Sequence, residues 1–225
     1  MKDTKLAVKT ALQVLVFFVV FAILIFLPAG TLRFWQGWAF FAVFCASTLY
    51  ITIYFLVKDP ALIGRRVKTG EARKEQKIFQ SISGVVFFVG LLVIPGLDFR
   101  FSWSSVPVPL TFVSDALVLL GFVIVFLVFR TNSFTSATIE VSENQKVIDT
   151  GVYAIVRHPM YMGAVLILIF SPLALDSFWA LIPGLCICVF VVLRLLDEEK
   201  FLSAELDGYK AYCEKTRYRL IPYIW

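Results

Sequence analysis

Long uncharged apolar runs constrain the fold of this chain more than any other feature. A bilayer-crossing helix needs about 20 mainly apolar residues, and runs that approach this length recur along the 225 residues. The last two runs are short and closely spaced, so they predict a C-terminal helical hairpin. The chain is therefore predicted to be an all-α integral membrane protein with about six transmembrane helices, at residues 10–32, 34–57, 78–97, 110–129, 160–175 and 177–193.

Basic residues predict the orientation of these helices. Lysines and arginines gather at the N-terminus, in the 58–77 loop and after residue 129, whereas only Arg33 and Arg100 fall on the other side. Cytoplasmic segments of membrane proteins carry such an excess, so a multi-pass protein with both termini in the cytoplasm is expected. Topology and contact with anionic membrane lipids then account for the formal net charge of +5, and no nucleic-acid partner is expected.

The chain divides into two regions of different character. Residues 1–130 hold about four of the predicted transmembrane helices, and residues 131–225 hold most of the polar residues expected to do chemistry. In the second region, β-branched runs at 138–141 and 146–148 predict a small β-hairpin or an extended loop. Asp207-Gly208 predicts the end of a long helix. The four cysteines are scattered, so neither a disulfide framework nor a metal site is predicted.

Ionisable residues next to the last two apolar runs are the candidates for function, because membrane insertion penalises charge at such positions. His158, the only histidine, stands before Pro159 at the predicted start of a helix. Proline is tolerated in the first turn, where free N–H groups can receive an anionic group. Arg194 and the pair Glu198-Glu199 follow the last run. Together these residues predict a cytosolic site for a charged cofactor and an amphiphilic substrate.

The order and spacing of these residues resemble a known enzyme family. The pattern is similar to that of the isoprenylcysteine carboxyl methyltransferases and, in much of its length, to the related phospholipid N-methyltransferases. The resemblance covers about residues 132–225, and only Val152 and Tyr218 depart from the usual prolines. It implies a multi-span membrane enzyme with a cytosolic S-adenosylmethionine pocket and a lipophilic acceptor that enters from the bilayer. The matching residues are Gly151-x-Tyr153-x-x-x-Arg157-His158-Pro159-x-Tyr161-x-Gly163, Glu198-Glu199-x-x-Leu202, Tyr209-x-x-Tyr212 and Arg219-Leu220-Ile221-Pro222.

The resemblance also implies roles for individual residues. Glu198 and Arg194 are implied to be catalytic, Glu198 by holding the cofactor's amino group and Arg194 by facing the acceptor. Arg219 joins Arg194 as an implied substrate-binding residue. The implied cofactor-binding residues are Val147, Ile148, Tyr153, His158, Pro159, Met160, Tyr161, Glu198 and Glu199.

Several functions remain open from the sequence. The resemblance favours methyl transfer to a carboxylate of isoprenylcysteine type, which is already nucleophilic and needs an arginine to orient it. A phospholipid or other lipid amine must lose a proton, which would make Glu199 or His158 a base. Steroid-reductase-type membrane enzymes have a similar His-Pro-x-Tyr-x-Gly pattern and would use NADPH. The glycines include no GxG pair and hence no Rossmann fingerprint. A membrane scaffold or transporter would bind none of these cofactors.

Overall fold

All regular structure in the described part of the protein is helical. The computed structural model describes residues 2–67, 84, 86–134 and 146–225. No strand occurs in these ranges, which confirms the all-α prediction for them. Of the predicted hairpin or loop, 138–141 lie outside the described residues, and 146–149 form neither helix nor strand. Part of the predicted 78–97 helix and residues 68–77 of the basic loop also lie outside.

The described residues of the N-terminal region form five helices of eight residues or more and a π-helical segment. Helix α1 ends before Gly30, whose φ of +66° is in the left-handed region that glycine adopts most easily. Helix α2 ends at Asp59, and the Oδ1 atom of Asp59 accepts the N–H of Leu62 to begin α3. The bounds are α1 Lys2–Ala29, α2 Trp35–Lys58, α3 Pro60–Val67, a π-helical segment Val86–Val93 that continues as α4 Ile94–Phe101, and α5 Val108–Thr131.

The C-terminal region adds three helices after a short 3-10 turn at Gly151–Ala154. These are α6 Pro159–Ala174, α7 Leu181–Glu205 and α8 Tyr209–Lys215. Helix α7 runs past the charged residues, as the sequence predicted, and a short connection with Gly208 at φ +83° follows it. The predicted helix end at Asp207-Gly208 is therefore confirmed.

Three of the described helices are long and apolar enough to cross a membrane. They comprise 25, 24 and 24 residues at Lys5–Ala29, Trp35–Lys58 and Val108–Thr131. Helix α6 is apolar but shorter, and α7 carries charged residues in its C-terminal half. The finding supports a membrane protein, while six spans and the cytoplasmic orientation stay predictions.

Aromatic packing holds the N-terminal helices together. The Phe21 and Phe44 rings stack at 4.5 Å between centroids, and those of Phe34 and Phe99 at 4.4 Å. Phe21, Phe34 and Phe44 belong to a buried core that also includes Leu175, just after α6, and Phe99 packs against this core. Because lipid tails are as apolar as these side chains, close packing and dispersion drive such association within a bilayer. The two predicted regions therefore share one core.

Helices α5 and α6 approach each other closely at a pair of glycines. A Cβ atom built on Gly163 would lie 2.8 Å from the carbonyl oxygen of Gly121, and one on Gly121 would lie 2.7 Å from that of Gly163. Small residues allow this backbone contact in membrane helices. Gly163 follows His158 by five residues, so the contact also places the start of α6.

Buried aspartates connect the loops at the other end of the bundle. Asp176, between α6 and α7, accepts hydrogen bonds from Gln36 Nε2 at 2.7 Å and from the Val106 N–H at 2.6 Å. Asp98 in α4 accepts the hydroxyls of Ser104 and Ser177 at 2.6 and 2.5 Å. Such charge-assisted bonds are strong and satisfy buried carboxylates. They hold this end together, while the predicted site residues gather at the end where α6 begins.

Candidate functional site

The first turn of α6 is the centre of the candidate site. His158 is the residue before the helix, and Pro159 occupies its first turn without breaking a hydrogen bond. The preceding 3-10 turn begins at Gly151, whose φ of +59° suits glycine. Arg157 and His158 are 9% and 5% exposed, although both are polar. Buried polar groups of this kind need partners, and the neighbouring helices supply them.

One cluster joins α6 to the middle of α7. The Tyr161 hydroxyl donates to Glu198 Oε2 at 2.5 Å and accepts from Arg194 Nε at 3.2 Å. Arg194 and Glu198 are four residues apart, which places them on one face of α7. The other oxygen, Oε1 of Glu198, has no hydrogen-bond partner within the part of the chain that is described. The structure therefore brings together three predicted site residues and leaves one carboxylate oxygen available.

A second cluster surrounds the neighbouring Glu199. Its Oε1 lies 2.7 Å from Arg157 Nε and 3.3 Å from His158 Nε2, and its Oε2 lies 2.7 Å from Arg219 Nε. Burial by itself would raise the pKa of the Glu199 carboxyl. Hydrogen bonds from His158, Arg219 and Arg157 outweigh this effect and lower its pKa to about 2. Glu199 is thus ionised at neutral pH with both oxygens occupied.

Tyr153 lies where three chain segments meet. The Asn132 side-chain amide, just after α5, donates to the Tyr153 hydroxyl at 3.1 Å. The Tyr212 hydroxyl on α8 donates to the Tyr153 carbonyl at 2.8 Å. Tyr212, one of the motif residues, therefore supports the loop before His158. Its neighbour Tyr209 is 4% exposed, and its hydroxyl has no partner of standard geometry among the described residues.

The apolar side of the site includes residues from the N-terminal region. Met160 and Tyr153 pack against a cluster that contains Leu62 and Ile63 of α3. Ile63 and Leu62 are buried there, with the inner turns of α5 beside them. The sequence placed the residues of helix α3 only within the basic 58–77 loop. In the structure, its apolar residues form part of the wall near the predicted cofactor residues.

Val147 and Ile148 lie at the edge of this assembly. Both are half-buried, and Val147 approaches Gly208, whose built Cβ would lie 3.9 Å from Val147 Cγ2. The next residue, Asp149, accepts a hydrogen bond from Lys215 on α8 at 2.5 Å. The segment is thereby attached to α8.

Two contributors to the site were not among the predicted site residues. Arg157 contacts Glu199 and the C-terminal segment, and its position next to His158 was the available signal. Asn132 contacts Tyr153, and nothing in the local sequence marks it. Its role depends on α5 ending beside the 3-10 turn, which is a tertiary feature.

Similarity to known proteins covers the helices that form this site. Residues 110–206 match the model of the phospholipid methyltransferase family. The matched stretch extends from α5 to the end of α7, so it includes His158, Tyr161, Arg194 and both glutamates. A search of curated proteins gives no match. The family match supports membrane methyltransferase activity directed at lipids, in agreement with the predicted enzyme class.

The described residues fit the methyl donor that such an enzyme uses. Among the described residues, Oε1 of Glu198 has no hydrogen-bond partner and can accept from an ammonium group, and the buried Tyr209 hydroxyl has no partner of standard geometry. A buried hydroxyl without a partner is costly, so a bound polar group would relieve it. Tyr153 and Tyr161 offer aromatic faces, which attract cations. These features suit S-adenosylmethionine, which carries an ammonium group and a sulfonium.

Proposed function

We propose that the protein transfers a methyl group from S-adenosylmethionine to a lipophilic acceptor at the membrane. The observation that carries this proposal is the Tyr161–Glu198–Arg194 cluster beside the His158 turn. It offers a guanidinium, an aromatic ring at the start of a helix and a carboxylate oxygen, Oε1 of Glu198, that no described residue contacts by a hydrogen bond. The family match over residues 110–206 supports the same activity.

In this proposal the chain acts chiefly by binding and orientation. S-adenosylmethionine supplies an electrophilic methyl group on a sulfonium, which becomes a neutral thioether after transfer. Glu198 holds the ammonium group through a charge-assisted hydrogen bond. Tyr153 and Tyr161 line the sulfonium side, and Met160 contributes apolar wall. Positioning two reactants in a water-poor pocket can provide a large share of the rate enhancement.

A carboxylate acceptor of isoprenylcysteine type is our first candidate. Such a group attacks the methyl without losing a proton, so its main need is orientation by a cation. Arg194 lies one turn from Glu198 on α7 and already contacts Tyr161, which places a guanidinium next to the proposed cofactor residues. Arg219 is a second cation, 36% exposed, on the other side of Glu199.

A lipid amine is the second candidate, and the phospholipid methyltransferase match favours it. An amine must give up its proton before or during attack. Glu199, with a pKa of about 2, is a weak base. His158 is the better candidate, because Glu199 contacts its Nε2 and such a carboxylate orients the ring.

The membrane placement that we propose follows the predicted topology. The site and both termini face the cytoplasm, where the cofactor is available, and the acceptor enters laterally from the bilayer. Basic residues at this end, including Arg130 in the last turn of α5, agree with the positive-inside rule.

Binding of S-adenosylhomocysteine to the detergent-purified protein tests the proposal, with NADPH titrated in parallel. We expect saturable binding of S-adenosylhomocysteine, weakened on the order of tenfold to a hundredfold in Glu198→Gln because a charge-assisted bond is lost. Glu205→Gln, an exposed glutamate on the same helix, is the matched control and is expected to bind normally. Binding of NADPH alone would assign the protein to the reductases.

The acceptor class is tested with the same protein and labelled S-adenosylmethionine. A farnesylcysteine analogue and phosphatidylethanolamine are compared as acceptors in matched vesicles. Arg194→Ala is expected to retain S-adenosylhomocysteine binding and to lose turnover of the carboxylate acceptor. Equal turnover by Arg194→Ala and the unchanged protein would contradict the proposed role of Arg194.

A further inference from the structure

Both oxygens of Glu199 are occupied by side chains from two other segments. Arg157 and His158, before α6, contact Oε1, and Arg219, after α8, contacts Oε2. The Glu199 side chain is only 12% exposed, and that of Arg157 only 8%. Glu198, its neighbour, instead contacts Tyr161 through Oε2, and its Oε1 has no hydrogen-bond partner in the described ranges. The two glutamates therefore have different surroundings although they are adjacent in sequence.

The C-terminal segment 213–220, here called the strap, lies against the residues that begin α6. The N–H groups of Arg157 and His158 donate to the carbonyls of Tyr218 and Arg219 at 2.8 and 2.9 Å. Arg157 Nη1 donates to strap carbonyls as well. Its acceptors are those of Cys213, Thr216 and Arg217, at 3.5, 3.1 and 3.0 Å.

We propose that Glu199 is a positioning residue: it locks the strap onto the His158 turn and thereby shapes the cofactor-binding end without contacting the cofactor. Arg157 connects the strap carbonyls to Glu199, and Arg219 connects the strap side chain to the same carboxylate. This role differs from the cofactor contact predicted from the Glu198-Glu199 pair. Its effect on ligand binding rests on the proposed function, whereas the locking of the strap does not.

The positive charge of Arg157 explains why the Glu199 carboxylate is needed to hold the strap in place. Arg157 is buried, and a buried guanidinium without a counter-charge is strongly destabilising. In Glu199→Gln, the amide keeps the size of the side chain but removes the negative charge. Arg157 would then lose its ion pair while it still binds three carbonyls, and the strap is expected to open more often.

The test combines limited trypsin digestion with ligand binding on the full chain in detergent. Trypsin cleaves after Lys215, Arg217 and Arg219 only when the strap opens, and mass spectrometry measures the released C-terminal peptides. Affinity for S-adenosylhomocysteine is measured well below each variant's melting temperature, where a mere loss of global stability leaves affinity unchanged. Glu198→Gln and Glu205→Gln are the matched controls on the same helix.

For Glu199→Gln we expect strap peptides to appear on the order of tenfold to a hundredfold faster, the range for losing charged hydrogen bonds. We also expect weaker S-adenosylhomocysteine binding. Glu198→Gln should weaken binding without releasing the strap, and Glu205→Gln should change neither. Should Glu199→Gln fail to fold, Arg219→Gln breaks the same contact from its more exposed partner and is expected to release the strap.

Strap release in Glu199→Gln at the rate of Glu205→Gln would overturn the proposal. Faster release with unchanged S-adenosylhomocysteine affinity would overturn the positioning role, because the strap would then not influence the site. If the unchanged protein binds no S-adenosylhomocysteine, the proposed function fails. The digestion comparison would still decide whether Glu199 locks the strap.

Discussion

Replacing Gly163 with alanine tests whether the contact between α5 and α6 positions the His158 turn. The new Cβ would lie 2.8 Å from the Gly121 carbonyl oxygen, 3.2 Å from Val125 Cγ2 and 3.4 Å from Ile124 Cβ. Ordinary contacts begin at 3.4 Å, so the two backbones must separate by about 0.6 Å, the difference between 3.4 and 2.8 Å. The nearest atom belongs to the backbone and cannot rotate away.

The expected magnitude is a balance of two effects. Overpacking of this kind lowers the free energy of unfolding by about 1–3 kcal/mol, whereas alanine in place of glycine in a helix raises it by about 0.5–1 kcal/mol. A net loss of about 1 kcal/mol lowers the melting temperature by roughly 2–4 °C for a chain of this size. Because α6 begins at the site, turnover should fall further, on the order of tenfold, since a misplacement of about 1 Å can cost about a hundredfold.

The assay is thermal unfolding in detergent together with methyl transfer to the better of the two acceptors. Gly64→Ala is the matched control, because a Cβ at Gly64 meets no atom of the described residues within 4 Å and the stabilising effect of alanine in a helix is the expected change. We expect that variant to be equally or slightly more stable and fully active. A Gly163→Ala protein that melts within about 1 °C of the unchanged chain and turns over at the same rate would refute the reasoning.

Three further changes have defined outcomes. Asp98→Ala removes the buried acceptor of the Ser104 and Ser177 hydroxyls at the far end of the bundle. The free energy of unfolding should fall by about 2–4 kcal/mol, and an unchanged denaturation midpoint would contradict this. Tyr212→Phe removes the hydrogen bond to the Tyr153 carbonyl, so the affinity for S-adenosylhomocysteine should fall severalfold with little loss of stability. Equal affinity of the two proteins in calorimetry would show that Tyr212 does not support the loop before His158. The pKa of Glu199 is lowered from 4.5 to about 2, so its contribution to stability is complete above pH 4.5 and disappears as the pH falls toward 2. The difference in melting temperature between the unchanged protein and Glu199→Gln should therefore become smaller over that pH interval. A constant difference would be inconsistent with the ion cluster.

Much of the helical framework was predictable because its causes are local. Apolar runs of sufficient length indicated the helices at Lys5–Ala29, Trp35–Lys58 and Val108–Thr131. Pro159 marked the start of α6 and Gly208 the connection after α7. A helix satisfies its own backbone hydrogen bonds, so hydrophobicity and helix-end residues carry most of the information. The boundaries of α7 and the existence of α3 within the basic loop were less visible, because packing decides them.

The motif also indicated residues that the structure brings close together. His158, Tyr161, Arg194 and Glu198 all lie at one end of the bundle, as their positions at the ends of apolar runs predicted. The sequence could not indicate Asn132 as a partner of Tyr153, since the two meet only when α5 ends beside the 3-10 turn. Gly163 was recognised as part of a pattern, and the reason for it is the contact with Gly121.

By itself, the sequence determined a helical membrane chain with a polar site at the start of α6. Only the tertiary structure decided which side chains each glutamate contacts. Glu198 and Glu199 are adjacent, and successive helical residues point about 100° apart, so each faces a different neighbour. Glu199 meets Arg157, which is 42 residues earlier, and Arg219, which is 20 residues later. Such pairings depend on how separate helices pack, and no local pattern of residues encodes them.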